Sequence, residues 1–378
     1  MTPSPVEPRR IVFLFSDTGG GHRSAAEAII EALDLEFPGK TRCEMVDFFK
    51  YYYPPPFNYA SRIYPVLSRM PKLWQAGYLL TNGSRRTRFL NYTSWPYIRR
   101  DLSRLIPEHP CDLVVSVHQW INHQMAKLAI KEKLPFVTVV TDLISTHAAW
   151  YSYRATQVIV PTEAAYQRGL KSGLRPYQLT VAGMPVAERF CNQTEDREAI
   201  RARLGWAADR PVVLLVGGGE GMGPLEAMAT ALDEAHLPVS LAIICGRNES
   251  LRERLSRRKW SIPAHVYGFV TEMPAFMRAA DILVSKAGPG TICEAFIAGL
   301  PLILYGKMPG QEDGNVTYVV DTGAGVWAPE PDQMVAVVRR WLGDPAARQK
   351  AVQICSSLAR PTASREIARL LAKQAGVR

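Results

Sequence analysis

The chain has 378 residues, of which 47% are hydrophobic and 21% charged, a profile that excludes a disordered or fibrous protein and suggests two globular domains. No apolar run approaches the roughly 20 residues needed to cross a bilayer, and residues 1–10 lack the apolar core of a secretion signal. The six cysteines at 43, 111, 191, 245, 293 and 355 form no Cys-x-x-Cys pair, which argues for reduced thiols and against a zinc site, while the net charge of +10 is unevenly spread.

In chain order, residues 11–16 read as a buried strand and 24–37 as a helix. Between them stand Gly19-Gly20-Gly21 and His22-Arg23. Backbone N–H groups at such a turn can face a polar or anionic ligand, and a histidine held there can accept a proton near neutral pH. After a strand at 43–47, residues 48–100 contain no Asp or Glu but hold Lys50, Arg62, Arg69, Lys72, Arg85, Arg86, Arg88, Arg99 and Arg100 among many aromatic residues. That mixture suits an anionic membrane surface, where each Lys or Arg adds about 1 kcal/mol. It also suits nucleic acid, or a helical insertion whose aromatic rings pack and whose arginines are solvated. The membrane is the partner expected, and nucleic acid is not.

Strands follow at 113–118, 136–141, 158–161 and 179–182, with a helix at 163–172. Alternation of this kind implies a parallel, doubly wound sheet, with 48–100 as an insertion on its edge. His118 and Asp142 each fall at a strand end, and His147 and Trp150 lie on the Asp142 loop. Each can serve a site or be a satisfied structural group. A polar stretch to about 197 reads as a linker. Strands resume at 212–216, 239–245, 266–269, 282–285 and 302–305, and 332–378 reads as helical throughout. The expected architecture is therefore α/β: two Rossmann-like domains facing a cleft, at 1–190 and 191–350, with a helical tail at 351–378 returning to the first. Ligands in such sheets bind beyond the carboxyl ends of the strands.

Three glycine or polar loops fall at such ends. Gly217-Gly218-Gly219-Glu220-Gly221 leads to Pro224, placed at the first position of a helix. It matches neither the dinucleotide fingerprint nor the P-loop. Lys286-Ala287-Gly288-Pro289-Gly290-Thr291 opens another helix, so the N–H groups of Gly290 and Thr291 point towards a diphosphate. Glu294, one turn on, can accept hydrogen bonds from a ribose diol. Gln311, Glu312 and Asn315 bring together the donors and acceptors that a hexose requires. No Asp-x-Asp pair, metal-ligand spacing or Gly-x-Ser-x-Gly elbow occurs, so no metal is expected and a hydrolase is excluded.

Taken together, residues 16–23, 217–224, 286–295 and 309–315 resemble the monogalactosyldiacylglycerol synthases. These are inverting glycosyltransferases of the two-domain GT-B fold, related more distantly to diacylglycerol glucosyltransferases and to MurG. The resemblance implies transfer of a hexose, galactose first, from a UDP-sugar to diacylglycerol at a membrane face, with the UDP-sugar a substrate and no cofactor. It puts Gly218, Gly219, Gly221, Lys286, Gly288, Gly290, Thr291 and Glu294 on UDP, and Gln311, Glu312 and Asn315 at the sugar. His22 becomes the base, with Asp142 or Asp17 as alternatives. Gly20, Gly21, Arg23, His118, His147 and Trp150 fall on the acceptor side, with Arg85, Arg86 and Arg88 at the membrane. The chain departs from the family pattern at Gln119, where proline is expected, and at Ala148-Ala149-Trp150, where the family has Pro-Thr-Trp. The resemblance and the missing plant-type leader imply a bacterial, peripheral protein on the cytoplasmic face of a membrane. Competing readings are a glucosyltransferase, a UDP-N-acetylglucosamine transferase or epimerase, and a membrane-bound nucleotide-sugar sensor.

Overall fold

The computed structural model describes residues 7–18, 20–67, 70–221 and 223–377. Gly19, Arg69, Met222 and the first six residues, all part of the reading above, lie outside the described residues. The chain forms two compact units. The first runs to Glu188 and also takes Met308–Gln311 and the chain from Thr362; the second takes Arg189–Lys307 and Glu312–Pro361.

The first unit is built on six parallel strands: β1 (Arg9–Phe15), β2 (Thr41–Asp47), β3 (Leu113–Ser116), β4 (Phe136–Val139), β5 (Gln157–Val160) and β6 (Leu179–Val181). Their spatial order is β2-β1-β3-β4-β5-β6. Successive side chains leave a strand on opposite faces, and here both faces are covered. Ile11, Phe13 and Phe15 pack with Leu113, Val115 and the helix Gly21–Glu36. Val12 and Leu14 join Val114, Val158, Met125 and Trp150 on the other side. Burial on two faces explains why β1 reads as an unbroken apolar run rather than an alternating one.

The segment 48–100 is helical, as expected of an insertion. It forms Phe48–Tyr52, Ala60–Leu67, Pro71–Thr81 and, continuing past it, Ser84–Leu102. Its aromatic residues divide. Phe48, Phe49, Tyr52 and Tyr53 are buried in the core, whereas Phe89 and Tyr92 are 65% and 81% exposed.

The helix Ala363–Gln374 belongs to this unit despite its distance in sequence. Ile367, Ala368, Leu371 and Ala372 enter the same apolar cluster as Ile11 and Phe13. Ser364 Oγ accepts from the Val186 N–H and donates to the Val186 carbonyl, and Arg369 pairs with Glu36 at 2.6 Å.

The second unit holds β7 (Val212–Val216), β8 (Ser240–Ile244), β9 (Ala264–Tyr267), β10 (Ile282–Lys286), β11 (Leu302–Gly306) and β12 (Gly325–Trp327), all parallel, in the order β12-β11-β10-β7-β8-β9. Asp281 fixes the entry to this sheet. Its carboxylate takes Arg197 and Arg201, each at 2.6 Å, and the Val212 N–H at 2.7 Å. The strand at β12 is not expected from sequence, because three residues are too few to show a period. Pro224 stands one place earlier than expected, as the N-cap of the helix Leu225–Glu234. The region expected to be one helical tail divides into Pro331–Gly343, Pro345–Leu358 and Ala363–Gln374, since Pro345 cannot continue the preceding helix. None of the six cysteines forms a disulfide.

The closing helix is held by apolar burial rather than by charge. Leu371→Ala is expected to cost about 2–5 kcal/mol through the cavity it leaves, and Arg369→Ala, which removes a largely exposed pair, under about 1 kcal/mol. Urea denaturation of both variants checks this, and equal losses would contradict it.

Candidate active site

The turn after β1 places His22 at the second position of the helix Gly21–Glu36. Gly20 caps that helix with φ +74°, a left-handed conformation that disfavours any side chain. A Cβ at Gly21 would meet open space. His22 Nδ1 lies 2.9 Å from Thr141 Oγ1, at the end of β4. The Thr141 hydroxyl also lies 3.3 Å from the Val117 carbonyl, to which it can donate. The same carbonyl accepts from the His22 ring. Burial lowers the pKa of His22 to about 4, with the Val117 bond opposing, so the ring is neutral at neutral pH.

Two other histidines surround this position with different partners. His118 Nδ1 accepts from the Trp120 N–H, and its Nε2 lies 3.2 Å from Thr18 Oγ1. His147 Nδ1 accepts from the Ala149 N–H, and its Nε2 lies 3.1 Å from Thr81 Oγ1. A backbone N–H can only donate, so each Nδ1 is an acceptor and each Nε2 carries the proton. The two rings cap short 3-10 turns, Gln119–Ile121 and Ala148–Trp150 respectively. Burial holds both pKa values down, that of His147 to about 4. Of the three rings, His22 is the one whose Nδ1 accepts from no backbone N–H among the described residues. Its centroid is 4.5 Å from that of His118 and 6.1 Å from that of Trp150.

Asp142 is buried, and burial raises its pKa. Oδ2 accepts from Trp150 Nε1 at 2.6 Å, and Oδ1 from Gln311 Nε2 at 3.0 Å. Asp17 forms a two-bond pair with Arg23, both at 2.7 Å, and the guanidinium lies over the Phe15 ring. Both carboxylates are thus engaged by donors. Arg85, Arg86 and Arg88 are exposed near the start of the helix Ser84–Leu102. Arg86 bonds the Leu79 carbonyl and Arg88 that of Ser84.

In the second unit, the glycines after β7 serve two purposes. At Gly221, φ is +59° and a Cβ would lie 1.9 Å from the Cys245 carbonyl oxygen, so this glycine permits packing of two loops. At Gly218 and Gly219 the space instead leads to cations: a Cβ would lie 3.9 Å from Lys286 Nζ or 3.5 Å from Arg247 Nη1 respectively. Gly288 caps the helix Pro289–Ile297 without a side-chain cap bond, which leaves the N–H groups of Gly290 and Thr291 open. Glu294 has no hydrogen-bond partner among the described residues, and burial raises its pKa to about 7. Asn315 is buried and donates to the Ala287 carbonyl at 2.9 Å, fixing the loop of Gly288. Glu312 is buried at the start of the helix Asp313–Thr322. Among the described residues, no three His, Cys, Asp or Glu side chains converge as a metal site requires. Thr141, Val117 and Arg247 are absent from the sequence reading; for Thr141 the available signal was its place beside Asp142 at the end of a strand.

Residues 22–186 match the family model described as monogalactosyldiacylglycerol (MGDG) synthase, and residues 212–348 that of the glycosyltransferase family 28 C-terminal domain. A chloroplastic monogalactosyldiacylglycerol synthase of Spinacia oleracea is 38% identical over 373 residues, covering 95% of this chain and 71% of that protein. Monogalactosyldiacylglycerol synthase 1 of Arabidopsis thaliana, also chloroplastic, is 38% identical over 94% of this chain and 69% of its own length. The chain belongs to the monogalactosyldiacylglycerol synthase family. It is therefore a glycosyltransferase, as the sequence motifs implied. A crystal structure of MurG from Acinetobacter baumannii matches this synthase-family fold with a TM-score of 0.64 at 16% identity, covering 97% of this chain and 100% of that one. The fold is thus GT-B, as expected. These relatives are plant proteins, and they lend no support to a bacterial source.

The synthase-family match begins at His22, whose Nδ1 meets Thr141 Oγ1. Thr141→Val keeps the shape of the side chain but removes the hydroxyl that faces Nδ1. The Nδ1–H form is expected to fall, and turnover with it by about tenfold, the value of one hydrogen bond. Ring 15N shifts and kcat measured together check this; an unchanged tautomer would contradict it.

Proposed function

We propose that this chain transfers galactose from UDP-galactose to the hydroxyl of diacylglycerol with inversion at the anomeric carbon. The observation that carries the reading is His22, kept neutral by burial with Thr141 and Val117 at its ring; in this reading its proton is on Nδ1 and Nε2 accepts. The hydroxyl oxygen of the acceptor forms the new bond to the anomeric carbon as the bond from that carbon to UDP breaks. The hydroxyl proton passes to His22 Nε2, a transfer worth roughly 10²–10⁴ in rate. Asp142 positions Trp150 and Gln311 rather than accepting the proton.

In this reading the donor belongs to the second unit. Glu294, half-buried and without a hydrogen-bond partner among the described residues, accepts the ribose hydroxyls. Lys286 and the open N–H groups at Gly290 and Thr291 stabilise the charge growing on UDP, and the reaction runs without a metal or cofactor. Glu312 supplies a polar group for the sugar. Among the described residues, no helix is long and apolar enough to cross a membrane. The exposed Leu80, Phe89 and Tyr92 beside Arg85 and Arg86 support peripheral attachment to an anionic surface.

His22→Ala is expected to lower kcat by roughly 10²–10⁴ and leave UDP affinity unchanged, as measured by turnover and calorimetry. The pH dependence separates two groups. Protonating His22 removes its lone pair, so acceptor kcat/KM falls as pH drops through about 4. Protonating Glu294 removes an acceptor for ribose, so donor KM rises as pH drops through about 7. Glu294→Gln abolishes the second effect and spares the first; a flat donor KM in the parent would refute the assignment. For the membrane, Arg85→Gln with Arg86→Gln is expected to weaken flotation with anionic vesicles more at low salt than at high salt, and equal loss at both would count against surface attachment.

A further inference from the structure

Met308–Gln311 belong to the first unit, although the chain on either side of them belongs to the second. Within the first unit they meet one side chain of the insertion. Tyr78 lies on the helix Pro71–Thr81, most of whose residues are exposed. The half-buried Trp74, Tyr78 and Thr81 stand at i, i+4 and i+7, so they form a single inward stripe. The geometry points to Tyr78 as a positioning residue for the transfer: its ring backs Gly310 and thereby holds Gln311 against Asp142. The inference rests on the transferase reading, to which it adds a residue of the insertion.

Three contacts carry it. First, Gly310 has φ +85°, and a Cβ there would lie 2.8 Å from Tyr78 Cδ1, so the backbone of this glycine rests on the ring and leaves no room for a side chain. Second, the Tyr78 hydroxyl donates to the Ser145 carbonyl at 2.8 Å, and the ring meets that of His147 edge-on, with centroids 5.1 Å apart. Third, Gln311 follows Gly310 directly and donates from Nε2 to Asp142 Oδ1 at 3.0 Å. Asp142 Oδ2 in turn holds the indole of Trp150, whose centroid is 6.1 Å from that of His22. One ring therefore touches both the segment that carries Gln311 and the loop that carries Asp142, and the bond between them depends on the placement of both.

The helix is itself tied to that loop. Thr81 Oγ1 lies 3.1 Å from His147 Nε2, and Asn82 Oδ1 accepts from the Ala148 N–H at 3.0 Å and from Arg168 at 2.9 Å. Tyr78 is thus presented from a fixed base, whereas Leu73 and Leu80 of the same helix are 53% and 72% exposed. A ring held in this way orders Gly310 and Gln311 before substrate arrives. Placement of this kind matters to rate, because a shift of about 1 Å far from the reacting atoms costs on the order of 10²-fold.

Two readouts on the full chain test the inference. The Trp150 indole N–H resonance, assigned by Trp150→Phe, reports the bond to Asp142 without substrate. Gln311→Ala is expected to shift it, and Tyr78→Ala to reproduce that shift. Gly310→Ala, which drives a methyl group into the ring, is expected to do the same and serves where Tyr78→Ala does not fold. Tyr78→Phe keeps the ring and loses only the hydroxyl, so it should retain the parent signal, as should Leu73→Ala. In turnover with UDP-galactose and diacylglycerol, kcat should fall about 10–100-fold in Tyr78→Ala. It should fall no further when Gln311→Ala is added, because both changes remove one interaction, and UDP affinity by calorimetry should stay at the parent value. A parent indole signal in Tyr78→Ala and Gly310→Ala, or losses that multiply in the double variant, overturns the proposal. A parent chain that transfers no galactose defeats the transferase reading instead, and the indole comparison then still decides whether Tyr78 holds Gln311.

Discussion

A parallel sheet covered on both faces leaves little room for polar chemistry along its strands. In β1, Ile11 to Phe15 are all buried, split between two apolar clusters. Functional side chains must therefore emerge where strands stop and backbone turns outward. Asp17 follows β1, His118 follows β3, and Thr141 and Asp142 follow β4. In the second unit Gly217 follows β7, and Lys286 ends β10. The chemistry is distributed by this one constraint before any particular side chain is considered.

Within the first unit, hydrogen-bond direction then separates groups that composition makes equivalent. His118 and His147 each cap a short turn through Nδ1, so both are structural donors at Nε2. His22 meets instead a threonine hydroxyl and a carbonyl. Burial lowers the pKa of all three rings. Asp142 and Asp17 are engaged by Trp150, Gln311 and Arg23, which makes each a support for its neighbours.

The insertion after β2 shows that one composition can serve two purposes. Its first aromatic residues, Phe48 through Tyr53, complete the apolar core and pack against His118. Phe89, Tyr92 and Tyr97, with Leu80, remain exposed, whereas Trp95 packs against the core. Aromatic and basic residues interleave along the whole segment, so their sequence pattern carries no sign of where the change occurs. Helix packing decides it: Ile98 and Leu102 turn inward, whereas Phe89 and Tyr92 turn outward on the same helix.

Sequence by itself determined the strands, the glycine turns and the family, because buried parallel strands are written as contiguous apolar runs and each is closed by a loop with its own signature. It also supplied His22, Asp142, Lys286 and Glu294 as candidates. It did not reveal β12, whose three residues show no period, nor the assignment of Met308–Gln311 to the first unit. Tertiary structure alone set the partners of each histidine, such as Thr141, which is 119 residues from His22. It alone brought Tyr78 against Gly310 and Ser145, because packing follows distance in space and not position along the chain.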